Sequence, residues 1–398
     1  MTGSGITLDA TVRNAAQAGW KQAVLVGLPE GEALPNVGGL APEHVHTLRF
    51  GNDALPFDLP GMSDIMPYAS TVFSSMSDES LQLYRRAWYD LLVRAVGEFK
   101  PDLIHSHHVW LLSSMVKDVL AELGLDIPVI THCHATGLRQ MVLPPNLADD
   151  VVEGCARNDA FVVLHRQHAE ALHDRLGVAG ERVHVVGAGY RADLFKKVGH
   201  PQGDDNDKDS LLYVGKFSAA KGLPELLDAF EVLQRDRPAL RLHIAGSAAS
   251  AEGDALRGRM ENMSPNVILH GALSQIDLAA LMRRCGMLVL PSLYEGLPLV
   301  LVEAYASGCK LVATALPGVV EQLEPHLGEA LELIPLPKMI GIDRADPAAL
   351  PHFSGDIVRA IERSLDAQSL GEAAKNLQPL TWHAVFQRIE AVWNAYLA

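Results

Sequence analysis

Short apolar, β-branched runs alternate along the chain with stretches of helical periodicity. In the first half the runs are Ala23–Gly27, Leu103–His105, Val129–His132, Ala160–Leu164 and Val183–Val186. In the second they are Leu211–Val214, Leu242–Ala245, Val267–Leu269, Met287–Leu290 and Lys310–Ala313. Most are continuously apolar rather than alternating, the mark of strands buried on both faces of a parallel sheet. Helical patterns separate them. From Asp78, apolar residues fall at Leu81, Tyr84, Trp88, Leu91 and Ala95, and Pro101 closes the run. Another follows Pro224, with Leu226, Leu227, Phe230 and Leu233. Such alternation predicts an α/β fold with helices on both faces of parallel sheets.

At 398 residues the chain is too long for one small core. A polar, acidic stretch, His200–Asp209, separates two similar halves. Its Asp-x-Asp patterns are those a metal-dependent transferase uses, but no strand end lies there, and it reads as a linker. The expected organisation is an acceptor-side Rossmann-like domain over 1–198, a linker over 199–209 and a nucleotide-binding Rossmann-like domain over 210–379. The final segment is amphipathic, with Trp382, Val385, Ile389, Val392, Trp393 and Tyr396. It is expected to form a helix within 380–398 that packs back on the first domain. Two doubly wound domains facing each other would set the carboxyl ends of their strands across a cleft. The irregular segment Gly61–Tyr68, with its methionines and Tyr68, reads as a packed loop or an acceptor-pocket wall.

Composition narrows the partners. The formal net charge is −15 and the pI about 5.5, which argues against nucleic acid while leaving room for a local phosphate pocket. Arg85, Arg86 and Arg94 are too few to make a membrane-binding surface. No uncharged apolar run reaches the roughly 18 residues of a membrane span. The four cysteines, Cys133, Cys155, Cys285 and Cys309, form no Cys-x-x-Cys pair and suit a reducing compartment. Met1–Gly5 does not resemble a leader, so a cytoplasmic protein is expected.

The chemistry concentrates after the run Met287–Leu290. Pro291-Ser292 ends that strand, Glu295-Gly296-Leu297 forms a loop, and Pro298 suits the start of a helix that carries Glu303. Glu303 is flanked by Leu299, Val300, Leu301, Val302, Ala304 and Ala306, and a carboxylate in such a helix needs a partner. Ionised carboxylates are pure acceptors and suit vicinal hydroxyl pairs, so Glu295 and Glu303 are candidates for gripping two hydroxylated rings. Gly296 permits close backbone approach, and helix-start amides favour an anion. Lys216 and Lys221 lie on another strand-to-helix loop, after Gly215, where two cations suit a diphosphate; two surface lysines are the plainer alternative.

Glu295-Gly-Leu-Pro-Leu-Val-Leu-Val-Glu303 resembles the Glu-x7-Glu signature of family-4 retaining glycosyltransferases of GT-B fold. Val214-Gly-Lys-Phe-Ser-Ala-Ala-Lys-Gly222, Ala304–Thr314 and Leu316-Pro-Gly-Val-Val-Glu321 fit the same family. The match is dense in the second half and looser in the first. The resemblance implies that Glu303 holds the nucleotide ribose, Glu295 the transferred sugar with the amides of Gly296 and Leu297, and Lys216 and Lys221 the diphosphate. Lys216 stands where many relatives have Arg, keeping the charge without bidentate geometry. His270 and Gly271 would line the base pocket through backbone groups.

In the first half, Gly3-Ser4-Gly5 resembles the family's glycine-rich loop, which approaches the donor diphosphate or the acceptor. Relatives carry an apolar strand before that loop, and none precedes it here. Either translation starts upstream or the first strand of the N-terminal sheet is missing. Gly187-Ala188-Gly189 occupies the domain junction, with Ala188 where the family has Asn. Histidines crowd two strand ends, at His105, His107 and His108 and at His132 and His134. A metal site is one reading, since imidazole is a common ligand. The resemblance instead places His134 beside the transferred sugar and implies no metal. Arg139 is a candidate contact for an anionic acceptor or the diphosphate.

The expected function is therefore transfer of a hexose from a UDP- or GDP-linked sugar to an unidentified acceptor, with retention, without a cofactor or metal. A GT-B-fold nucleotide-sugar epimerase would share the clamp but convert the donor alone. A non-catalytic nucleotide-sugar-binding protein would bind without transfer. A histidine-rich metallohydrolase would carry stoichiometric metal.

Overall fold

A computed structural model describes residues 3–62, 69–142, 145–197, 207–248, 250–366 and 376–398. Most of the expected linker and the segment Ser63–Tyr68 lie outside the described residues. In chain order the elements are α1 (Gly3–Gln17), β1 (Val24–Pro29), β2 (Val45–Phe50), α2 (Asp78–Phe99), β3 (Ile104–His107), α3 (Leu111–Glu122), β4 (Val129–Cys133), α4 (Ala135–Gln140), α5 (Pro145–Ala156), β5 (Ala160–Val163), α6 (Arg166–Leu176) and β6 (Val183–Val185). There follow β7 (Asp207–Val214), α7 (Leu223–Asp236), β8 (Arg241–Ala245), α8 (Ala251–Glu261), β9 (Val267–Gly271), α9 (Gln275–Arg284), β10 (Cys285–Leu290), α10 (Leu299–Ser307), β11 (Lys310–Thr314), α11 (Glu324–Leu327), β12 (Leu331–Ile334), α12 (Leu350–Asp366) and α13 (Trp382–Leu397). All ten expected strands are present. Two edge strands, β2 and β12, were not legible: each pairs on one side only and mixes polar with apolar residues.

The chain divides into two units. Unit 1 comprises residues up to Gly189 together with Trp382–Ala398, and unit 2 comprises Tyr190–Thr381. In unit 2 six parallel strands run in the order β12-β11-β10-β7-β8-β9. Successive side chains of β7 point to opposite faces. Leu211 and Tyr213 therefore join a core with Phe230, Phe353 and Ile357, from α7 and α12. Leu212 joins the other core, with Leu288, Leu301, Val302 and Leu311. Both faces are covered, which is why these strands read as unbroken apolar runs.

In unit 1 the strands form two separate parallel sheets, β1-β2 and β3-β4-β5-β6. Among the described residues, β1 and β3 each pair along one edge only. Helix α2 forms as its periodicity predicts. Ser77 caps it by accepting from the Ser80 amide at 3.2 Å, and Leu81, Tyr84, Trp88, Leu91 and Ala95 are buried. Lys100, in the left-handed region at φ 51°, ends it before Pro101. Helix α13 packs in unit 1 through Trp382, Val385, Ile389, Val392 and Trp393. The Trp20 indole donates to Glu390 at 2.8 Å, and the Arg388 guanidinium to the Val186 carbonyl at 2.9 Å.

Candidate active site

The order of the unit 2 sheet fixes where a ligand can bind. From β7 the chain steps outward through β8 to β9, then returns to the other side of β7 and steps outward again through β10, β11 and β12. Neighbouring strands β7 and β10 thus flank the point where direction reverses, where the connecting loops diverge and leave a crevice at the carboxyl ends. The β7–α7 loop carries Gly215, Lys216 and Lys221. The β10–α10 loop carries Glu295, Gly296 and Leu297.

These two loops are laced together. The Leu293 amide donates to the Ala220 carbonyl at 3.0 Å. The Lys221 ammonium pairs with Glu295 Oε1 at 2.7 Å and donates to the Tyr294 carbonyl at 3.3 Å. The Ser292 hydroxyl donates to the same Glu295 oxygen at 2.9 Å. Gly222 sits at φ 63°, and a Cβ there would lie 2.0 Å from the Pro291 carbonyl oxygen. Only glycine permits that approach. Tyr213 is fully buried and donates its hydroxyl to the Lys216 carbonyl at 2.7 Å, fixing the start of the lysine loop. Burial, and then the Glu295 charge, hold the Tyr213 phenol well above its usual range.

Beyond β7, β8 and β9 the ladder continues through glycines. The Gly215 amide donates to the Ala245 carbonyl at 3.0 Å, and the Gly246 amide to the Gly271 carbonyl at 2.8 Å. His270 is half-buried, and its Nε2 lies 2.9 Å from His243 Nδ1. On the other loop, the Gly296 and Leu297 amides have no acceptor among the described residues.

Glu303 occupies the fifth position of α10, which starts at Leu299 after a Pro298 cap. It is half-buried, and among the described residues it has no hydrogen-bond or ion-pair partner. Desolvation raises its carboxyl to about 7. A carboxylate that has lost part of its water and gained no partner in exchange is poised for a ligand with hydroxyl donors.

In unit 1 the histidines gather through strand geometry. Parallel pairing sets His107 of β3 opposite His132 of β4. His105 lies two positions before His107 on the same face of β3, and His134 follows directly after β4 as the N-cap of α4. The rings of His107, His132 and His134 stack within 5.4 Å of each other, and His107 Nδ1 lies 3.1 Å from His134 Nε2. The Trp393 indole donates to His105 Nδ1 at 2.8 Å. Burial keeps all these rings neutral: it lowers His107 to about 4 and His108 to about 3, and holds His105, His132 and His134 well below the usual imidazole range. His108 is held in the left-handed region at φ 70°, with its carbonyl accepting from Ser113 at 2.6 Å. That conformation is strained for a residue with a Cβ. Arg139 is half-buried on α4.

One glycine expectation changes and another residue gains a structural role. Gly3 and Gly5 lie in the first turn of α1 rather than in a loop, because the helical hydrogen-bond pattern extends to Gly3. Gly189 is required by the chain itself: a Cβ there would lie 2.6 Å from the Trp382 backbone. Sequence reasoning also missed Ser292, Tyr213 and His243. The available signal was a tyrosine in the apolar run that ends β7, two positions before Gly215.

Two family models match the chain. One, described as Glycosyltransferase Family 4, covers residues 2–194; the other, Glycosyl transferases group 1, covers residues 196–331. A glycogen synthase from Mycobacterium tuberculosis is 26% identical over 288 residues, 71% of this chain and 64% of that protein. The match thus spans less than two thirds of that relative. Among solved structures, sucrose-phosphate synthase from Thermosynechococcus elongatus superposes with a TM-score of 0.72 at 21% identity, covering 99% of this chain and 93% of that one. Anabaena HepE in complex with UDP and glucose gives 0.67 at 17% identity, covering 99% and 96%. Matched in both halves, the chain belongs to the family-4, group 1 glycosyltransferases and has their two-domain α/β fold.

Proposed function

We propose that this glycosyltransferase moves a hexose from a UDP- or GDP-linked donor to an acceptor hydroxyl, with retention and without a metal. The observation that carries the proposal is Glu303, a largely desolvated carboxylate with no partner among the described residues, at the reversal point of the unit 2 sheet. A ribose diol supplies two donors to such a group. Lys216 and Lys221 stand on the facing loop for the diphosphate, and the Gly296 and Leu297 amides and Glu295 for the sugar. The solved relative that holds UDP and glucose supports a uridine donor as the first to test.

In this mechanism the acceptor oxygen forms its bond to the anomeric carbon on the face from which the phosphate oxygen leaves. The departing diphosphate takes the acceptor proton, and the lysines neutralise its developing charge. Before a donor binds, the Lys221 ammonium is held by Glu295. A diphosphate competes for that ammonium and frees Glu295 for a sugar hydroxyl. In unit 1, His134 is enlisted for turnover rather than donor affinity.

A panel of nucleotide sugars screened by thermal shift tests the proposal, since a bound donor stabilises the fold by mass action. One donor is expected to raise Tm by several degrees in the parent, with the shift lost in Glu303→Ala. Transfer is expected to persist in excess chelator. Failure of every UDP- and GDP-sugar to shift Tm would refute the donor assignment, and a strict divalent-metal requirement would refute the metal-free mechanism.

A further inference from the structure

His132 is wholly buried in β4, and neither of its ring nitrogens has a hydrogen-bond partner among the described residues. Buried polar atoms are almost always satisfied, so an orphaned imidazole marks a place where something binds. Its neighbours are chosen in kind. His107, His132 and His134 each offer a ring nitrogen, and the three lie within 4.8 Å of one another. His107 Nδ1 and His134 Nε2 are already 3.1 Å apart. Zinc–imidazole bonds of about 2.0–2.1 Å require nitrogens roughly 3.3 Å apart in a tetrahedral shell. The imidazoles now stack nearly parallel, and ligation requires them to rotate about their side-chain torsions to close the remaining distance.

We infer that His107, His132 and His134 form a binding site for a late first-row divalent cation, with zinc as the representative ion. Imidazole-only ligation suits zinc, copper and nickel, and disfavours magnesium and calcium. Cys133 is no competitor, because it points to the opposite face of β4 and packs with Phe161 and Leu172. No described carboxylate acts on His132 or His134, so the ion retains its charge and its fourth position takes water or an anion. Binding engages Nε2 of His134. Zinc is therefore expected to inhibit transfer and a chelator to restore it, a consequence that rests on the role proposed for His134.

The binding claim is tested apart from activity. Zinc chloride is titrated calorimetrically into chelator-treated full-length protein. One equivalent is expected to bind with Kd in the micromolar range or below. His107→Gln and His132→Gln are each expected to weaken it at least about 100-fold, and a control, His326→Gln in α11 of unit 2, to leave it unchanged. Should the buried variants not fold, cobalt(II) added to the parent protein is expected to give the intense visible bands of a tetrahedral site. Absence of stoichiometric binding, affinity unchanged in both ligand variants, or only the weak bands of octahedral cobalt would overturn the inference. Binding without inhibition would preserve the site and refute only the role given to His134.

Discussion

Glu303 carries a stability penalty that its proposed ligand removes. In the folded chain its carboxyl sits at about 7, against 4.5 for the free group. The native state therefore binds this proton more tightly than the unfolded state, and stability falls as pH rises from 4.5 through 7. Above that window the penalty is on the order of 2–3 kcal/mol. Glu303→Gln is expected to match the parent in thermal unfolding at pH 5 and to exceed it in Tm at pH 8. Donor affinity should show the opposite pattern: rising in the parent between pH 6 and 8, as the carboxylate forms, and staying weak and flat in the variant. Equal melting of the two proteins at pH 8 would remove the desolvation account. The surroundings of Glu303 were legible, because a lone acid amid Leu299–Ala306 is conspicuous. The Lys221–Glu295 pair was not, since residues 74 positions apart become neighbours only when β7 and β10 pair.

At the scale of elements, the two loops at the reversal point act as one unit through Gly222. Gly222→Ala forces a Cβ against the Pro291 carbonyl in a left-handed residue, and is expected to cost roughly 3 kcal/mol or more. It should abolish donor binding through misplacement of Lys221 and Glu295. Gly271→Ala is the control: its φ is 68°, but nothing lies within 4 Å of the added carbon. A loss of only about 1 kcal/mol is expected there. Urea denaturation of both variants decides, and similar losses would mean that conformation alone, not contact with Pro291, requires glycine at 222. The glycines were visible in the sequence. Which one faces open space and which a carbonyl depends on strand order, and strand order is not a local property.

For the whole molecule, the divided sheet of unit 1 has a measurable consequence. Among the described residues, β1 and β3 each lack a ladder partner on one edge, whereas β4 and β5 are paired on both. Amide hydrogen exchange should therefore be faster in peptides covering 24–29 and 104–107 than in those covering 129–133 and 160–163. Uniform protection across all four segments would show that both open edges are covered in solution.

The sequence by itself determined the alternation of strands and helices, the positions of ten strands, the register of α2 and the signature that ties Glu295 to Glu303. Each is a local periodicity or spacing, set by steric rules within a few residues. Only the tertiary structure decided what those residues meet. It gave Lys221 its carboxylate and left Glu303 without a partner among the described residues. It stacked histidines from two strands into one buried group, and it spent Gly189 on packing against Trp382. Those outcomes follow from the order and register of parallel strands, which arise from long-range pairing and burial rather than from any single stretch of chain.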